Sequence, residues 1–202
     1  MRVLLPRSTR SSAHRSSAPR SLGHLLARGL APALTLLLAV GCASTPGPLE
    51  RDDTRPADAW LSAIEAQDWA ALGALLADDA VYEDPTAADE RGAPLRFEGR
   101  DAIVAFWRDS SDDSEARDIR YRIDDSFESG GVTVLTLWLT IGVGGAYWDV
   151  DTEVLWLSGR QITVVTERDG RIVRVADHVD YDAALATIDA LREEHGARAP
   201  AE

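Results

Sequence analysis

Two periods divide this chain. From Pro56 to Trp107 apolar residues recur every three or four positions, and from Ile119 to Val179 they recur mostly every second position. The first pattern predicts amphipathic helices and the second predicts strands with one buried face. Pro56 suits a first helical turn, with Asp58 near the positive end of the helix dipole and Trp60, Ala63 and Ile64 on one face. Asp68 suits the cap of a second helix with the stripe Trp69, Leu72, Leu75 and Leu76. A short strand, 80–83, and a polar loop, 85–95, lead to a third helix near Asp101 that buries Ile103, Phe106 and Trp107.

In the second half Ile119, Tyr121 and Ile123 alternate with Arg120 and Arg122, and Leu135, Leu137, Leu139 and Ile141 continue the alternation on a longer strand. Ile162 with Val164, and then Ile172, Val173, Val175 and Val179, supply two more strands. Turn signals stand between them at Ser129-Gly130-Gly131, Gly142 to Gly145, Ser158-Gly159 and Asp169-Gly170. Asp-Gly is the strongest, because it favours the positive φ angles of a tight hairpin. The segment 147–157 reads either as a strand of its own or as part of a wide loop. A closing helix spans 183–194. Helices first and a meander afterwards give an α+β fold, with helices packed on one face of a curved, mainly antiparallel sheet.

The ends of the chain change the picture of where this domain works. Residues 1–41 carry six arginines and no acid, followed by the apolar run Leu30 to Val40. Eleven residues are too few to span a bilayer, which needs roughly 20. A basic leader and a short apolar core form the pattern of an export signal. The run ends at Ala39-Val40-Gly41-Cys42, which resembles the lipobox of bacterial lipoproteins, with Cys42 lipidated as the new N-terminus. Cys42 is the chain's one cysteine and so has no partner for an internal disulfide. A plain secretory signal with an incidental cysteine is the alternative. With Ala43 after the cysteine, the lipobox implies the outer membrane facing the periplasm in a Gram-negative cell. Residues 42–56 read as a flexible tether, 57–194 as the domain, and 195–202 as a disordered tail.

Without the leader, 15 of the 21 basic residues face 34 acids, a net charge of −19. Such a surface repels phosphate backbones and argues against a nucleic-acid partner. The chain offers no His-Cys cluster for zinc, no phosphate-cradling glycine loop and no serine-histidine nucleophile motif, so neither a metal nor a cofactor is expected. The acidic run 109–118 lacks the glycine and terminal glutamate of a calcium loop and reads as a solvated loop.

Two carboxylates carry the candidate chemistry. Asp84 stands at the end of a short apolar strand, just before Pro85, flanked by amphipathic helices that would point it into the mouth of a pocket. Burial against apolar walls raises a carboxylic acid's pKa toward neutrality, which suits proton abstraction. On the last strand Val173, Val175, Asp177 and Val179 share a face, so Asp177 is an acid in an apolar row, with His178 on the opposite face. Two acids meeting across a pocket would repel and split into an acid and a base. The bland alternatives are that Asp84 only opens the turn before Pro85, and that Asp177 binds a backbone amide or an arginine. Trp60, Trp107 and Trp138 are candidate pocket walls, and aromatic lining favours a ring-bearing or lipid-like ligand.

The motifs ADDAVYEDP, GRDAIVAFW, DGRI and ADHVDYDAAL, in this order, resemble the NTF2-like superfamily, and within it the SnoaL-like and ketosteroid-isomerase-like branch. The resemblance covers about residues 57–193. It implies a cone-shaped half-barrel enclosing an apolar pocket, often as a homodimer, among isomerases, epoxide hydrolases, cyclases, dehydratases and non-catalytic binders. Asp84 matches the base of the ketosteroid isomerases. Trp60 and Ile162, however, fall where their two oxyanion donors belong, and losing one such donor commonly costs roughly 3–4 kcal/mol of barrier. Against the limonene-type epoxide hydrolases, Tyr82 matches the tyrosine, Asp84 replaces the asparagine and Asp177 matches the last-strand acid, while Leu137 and Leu139 occupy the places of the central arginine and aspartate. Three functions stand: a binder of a small apolar molecule, with Tyr82, Val175 and Val179 among the lining; a cofactor-free isomerase, hydrolase or dehydratase with Asp84 as base and Asp177 assisting; and a module docking a partner protein.

Overall fold

The computed structural model describes Leu49, residues 51–88 and residues 92–195. The expected export signal, Cys42 and nearly all of the C-terminal tail lie outside the described residues. Helices α1 (Pro56–Ala66) and α2 (Trp69–Leu75) come first, then strands β1 (Leu76–Ala88) and β2 (Pro94–Glu98), and helix α3 (Arg100–Asp113). Strands β3 (Arg117–Ser129), β4 (Val132–Gly144), β5 (Val154–Arg168) and β6 (Arg171–Val179) follow, and helix α4 (Tyr181–His195) closes the order. The α+β class expected from the two periods is the one observed.

The helices form where the pattern placed them. Pro56 opens α1, and the Asp68 side chain caps α2 by accepting from the Ala71 N–H at 2.9 Å. Along α2 only Leu72 is buried, and Leu76 already belongs to β1. One sheet of six strands runs β2-β1-β6-β5-β4-β3, antiparallel except that β1 and β6 run parallel. Its inner face carries Ile119, Tyr121, Ile123, Leu135, Leu137, Val165 and Val175, packed with Trp60, Leu61, Ile64, Leu72 and Ile103 from the helices. At the far end of the sheet Val143, Val150, Leu155 and Leu157 form a second cluster with Ile188 of α4.

Several sequence expectations need correction. The first strand is 13 residues, not the short stretch 80–83, and the expected loop 85–95 contains its last turns of pairing and the start of β2. Tyr82 opposes Phe97 and Asp84 opposes Leu95 in that hairpin, and backbone pairing holds the polar stretches that side-chain alternation could not reveal. Asp109 to Asp113 of the acidic run are helical, completing α3 rather than a loop. Ser158-Gly159 is no turn but the middle of β5, which pairs continuously with β4 from Val154 to Thr166. The ambiguous segment 147–157 divides into the end of a 3-10 turn (Gly145–Trp148), a bend and the start of β5. The closing helix begins two residues early, at Tyr181. Asp169-Gly170 does form the hairpin, with φ of 53° and 72°.

The tether also ends sooner than expected. Arg51 makes two hydrogen bonds to Glu65, at 2.6 and 2.7 Å, and donates to the Tyr121 carbonyl, while Glu65 accepts from the Tyr121 N–H at 2.5 Å. The Leu49 N–H also donates to the Ile123 carbonyl at 3.3 Å, so the chain is strapped to β3 from Leu49 and to α1 from Arg51.

Gly145 turns the chain from β4 into the 3-10 segment, where an added Cβ would run into the Thr152 carbonyl oxygen and come within 2.8 Å of the Val150 carbonyl oxygen. Both obstacles are backbone, so relief needs a shift of the main chain. Gly145→Ala is expected to lower stability by about 2 kcal/mol or more in urea denaturation, at the upper part of the overpacking range. A variant as stable as the parent would show that this end of the sheet yields freely.

Candidate functional site

The parallel pairing of β1 and β6 builds the site. Tyr82 pairs with Val175 and Glu83 with Ala176, so the next step of the register brings Asp84 beside Asp177 on the inner face. Asp177 in turn pairs with Thr163 of β5, and Val179 with Gln161. Asp84, Asp177, Thr163 and Gln161 are all buried, forming a polar row within an apolar sheet face.

Each acid is held by donors from several elements. Asp177 accepts from the Thr163 hydroxyl at 2.6 Å and the Tyr82 hydroxyl at 3.1 Å, and the Gln161 amide donates to Thr163 at 2.8 Å. Asp84 Oδ1 accepts from the Thr86 hydroxyl at 2.5 Å, the Thr86 N–H at 2.8 Å and the Ala87 N–H at 3.1 Å. Those bonds hold the chain at the register shift between Asp84 and Ala88, just after which β1 ends. The other oxygen, Oδ2, accepts from the Tyr181 hydroxyl at 2.6 Å. Thr86 also accepts from the Val179 N–H at 2.9 Å, fastening the end of β1 to β6.

Burial is the main influence on the titration of this row. It pushes the Asp177 carboxyl up to about 6; the Asp84 charge adds to the rise, and the bonds from Thr163, Tyr82 and Gln161 oppose it. The Tyr82 and Tyr121 phenols are raised by burial first and by the Asp177 charge next. Tyr181 is raised by burial and then by Asp84. The row therefore carries a carboxylic acid that exchanges its proton near neutral pH, beside phenols that keep theirs.

The other expected site residues divide. Trp60, Tyr82 and Trp107 do come together, but as packed rings: Tyr82 lies 6.3 Å from Trp60 and 5.5 Å from Trp107, and Phe106 lies 4.3 Å from Phe97 and 5.5 Å from Tyr82. They fill the apolar end of the expected hollow rather than wall it. Val175 is core, whereas Val179 lines a groove of about 240 Å³ with Thr86, Asp180, Tyr181 and Asp182. Trp138 is a correction. It lies between inward Leu137 and Leu139 and so points to the outer face, where the Arg122 guanidinium sits 5.8 Å from its ring centre. His178 is exposed, as its place opposite Asp177 implied. Thr163, Gln161 and Tyr181 were missed. The first two alternate with Ile162 and Val164 on β5, so the apolar pattern pointed to the other face: Ile162 is exposed, whereas Gln161 and Thr163 are buried.

The pH dependence of folding follows from Asp177. Its native pKa of about 6 exceeds the ordinary 3.8, so the folded state binds the proton more tightly. The stabilisation is complete below about pH 4, falls as pH rises through 6, and is absent at 7. A rise from 3.8 to about 6 corresponds to roughly 3 kcal/mol. Asp177→Asn is expected to lose this dependence, so its stability relative to the parent should improve by about 2–3 kcal/mol between pH 4 and pH 7 in urea melts. An unchanged difference across that range would mean that Asp177 does not titrate there.

Comparison with known proteins places this geometry. No curated protein matches the sequence. Among solved structures, a putative SnoaL-like polyketide cyclase from Shewanella denitrificans has a TM-score of 0.57 at 16% identity, covering 67% of this chain and 95% of its own. A second such protein, from Shewanella putrefaciens, has a TM-score of 0.58 at 13% identity, over 70% of this chain and 88% of its own. An epoxide hydrolase of the LEH-like type from M. tuberculosis has 0.51 at 18%, over 67% and 88%. At these identities the likeness is one of fold. The family model for the SnoaL-like domain matches residues 57–175, from α1 to the middle of β6. The chain belongs to the SnoaL-like domain family.

Proposed function

We propose that this chain is an envelope lipoprotein whose SnoaL-like domain binds a small, largely apolar molecule at the row of Asp84 and Asp177. One observation carries the reading: two buried carboxylates lie side by side on parallel strands, each accepting from a tyrosine hydroxyl. Burying an acid costs several kcal/mol unless it is well partnered, and apolar residues of similar volume would pack as well. A ligand that donates to the row supplies a use for that cost. The groove lined by Thr86, Val179 and Tyr181 lies against two residues that donate to Asp84, and the aromatic cluster adjoins the row through Tyr82.

A second reading is favoured by Asp177 titrating near 6. A cofactor-free isomerase, hydrolase or dehydratase would use Asp84 to accept a proton from the bound molecule and Asp177, with Tyr82, to return one. A putative isomerase, polyketide cyclases and an epoxide hydrolase share the fold, which is compatible with such chemistry.

Anchoring rests on Cys42 after its apolar run. Residues 43–48 would separate the lipid from Leu49, whose N–H donates to the Ile123 carbonyl at 3.3 Å, and six residues reach at most about 22 Å. The domain would thus stay close to the membrane. No helix among the described residues is long and apolar enough to cross one. The exposed Trp156 and Ile162 on the outer sheet face support pairing with a second copy.

Native mass spectrometry of the processed protein, extracted from its own cells in detergent, tests all three parts. The expected spectrum shows a chain beginning at lipid-modified Cys42, a dimer, and a small-molecule adduct. An unmodified start beyond Cys42 would remove the anchor, and a monomer would remove the pairing. Asp84→Asn is expected to lose the adduct while changing stability by no more than about 2 kcal/mol, the scale of the bonds it alters. Unfolding with the adduct retained would reduce Asp84 to a turn element.

A further inference from the structure

Tyr181 is the first residue of α4, and its hydroxyl occupies Asp84 Oδ2 at 2.6 Å. Oδ1 already accepts from three donors on Thr86 and Ala87. The one acceptor of Asp84 open to exchange is thus taken by a phenol from the closing helix. The groove of about 240 Å³ borders this phenol on its solvent side.

The body of α4 is fastened elsewhere. Ile188, with Leu185 and Leu191, packs on Val143, Val150, Leu155 and Leu157, and Arg192 donates to the Trp148 carbonyl at 2.6 and 3.1 Å. The joint is Asp180, whose N–H donates to the Arg160 carbonyl at 3.0 Å and whose side chain accepts from the Ala183 N–H at 3.4 Å. The phenol and the helix body are held by separate contacts, so the first turn can release without disturbing the second cluster.

We infer that Tyr181 is a built-in occupant of the ligand seat, and that the ligand is a hydroxylated aromatic ring whose O–H replaces the tyrosine on Asp84 Oδ2. The inference rests on the reading of the Asp84–Asp177 row as a ligand site and names its chemical class. Oδ2 accepts only, so the newcomer must bring a donor. Two adjacent aspartates repel an anionic ligand. A phenol makes the short, charge-assisted bond that Tyr181 makes, and its ring fits the space the tyrosine ring vacates beside Val179 and Thr86.

The probe is p-cresol, the tyrosine side chain as a free molecule, with 4-methylanisole as the same ring without the O–H. Binding is read by calorimetry and release of α4 by hydrogen exchange of residues 181–195 in the full domain. In the parent, p-cresol is expected to bind and to speed exchange in the first turn of α4, while 4-methylanisole does neither. Tyr181→Phe keeps the ring and loses the competing hydroxyl; it should bind p-cresol about tenfold more tightly, the effect of one such bond. Asp84→Asn should abolish p-cresol binding. Equal binding of the two probes, binding that leaves α4 exchange unchanged, or no p-cresol binding to Tyr181→Phe would each overturn the inference. Those failures would leave the broader reading standing wherever the native adduct still depends on Asp84. Loss of that dependence would sink the broader reading itself.

Discussion

Asp84 and Asp177 are neighbours because β1 returns to the sheet parallel to β6, and their adjacency sets the demands on everything around them. Two ionised acids in an apolar interior repel each other and lose their hydration, a combined cost of several kcal/mol. The structure answers with donors drawn from far apart in sequence: Tyr82 on β1, Thr163 on β5 and Tyr181 on α4, supported by Gln161. Below about pH 6 a proton on Asp177 relieves the repulsion as well, since burial raises that carboxyl from 3.8 to about 6. A hydrogen bond to a charged group contributes about 1.5–3 kcal/mol, so these donors offset part of that cost as well as orienting the acids.

That row separates two apolar regions with different tasks. On one side the rings of Trp60, Tyr82, Phe97, Phe106 and Trp107 lock the helices to the sheet, and Tyr82 belongs to both the rings and the row. On the other side α4 rests on its own small cluster around Ile188. Elements held by few buried contacts open at lower free energy than the core.

The charged surface plays a different part. Most arginine–carboxylate pairs here are exposed, as with Arg96–Glu98 and Arg108–Asp109, and pairs of that kind contribute little. Arg51 is an exception, because its bonds to Glu65 and the Tyr121 carbonyl close a strap over β3. The excess of acid governs what the protein repels more than how it folds.

Periodicity alone determined the helices, the inward faces of β3 and β4 and the α+β class, because burying one face imposes a period that survives in the residues. It also singled out Asp177 as an acid on an apolar face, and Asp84 before its proline. Tertiary structure decided the rest. Ser158-Gly159 became strand because neighbouring backbones satisfied its N–H and C=O groups, a requirement blind to side-chain pattern. Trp60 and Trp107 became filler because their rings met each other and Tyr82. Trp138 turned outward through the parity of its strand. The junction of Asp84, Asp177 and Tyr181 depends on a parallel pairing between segments more than 90 residues apart, and no local property of either segment specifies that register.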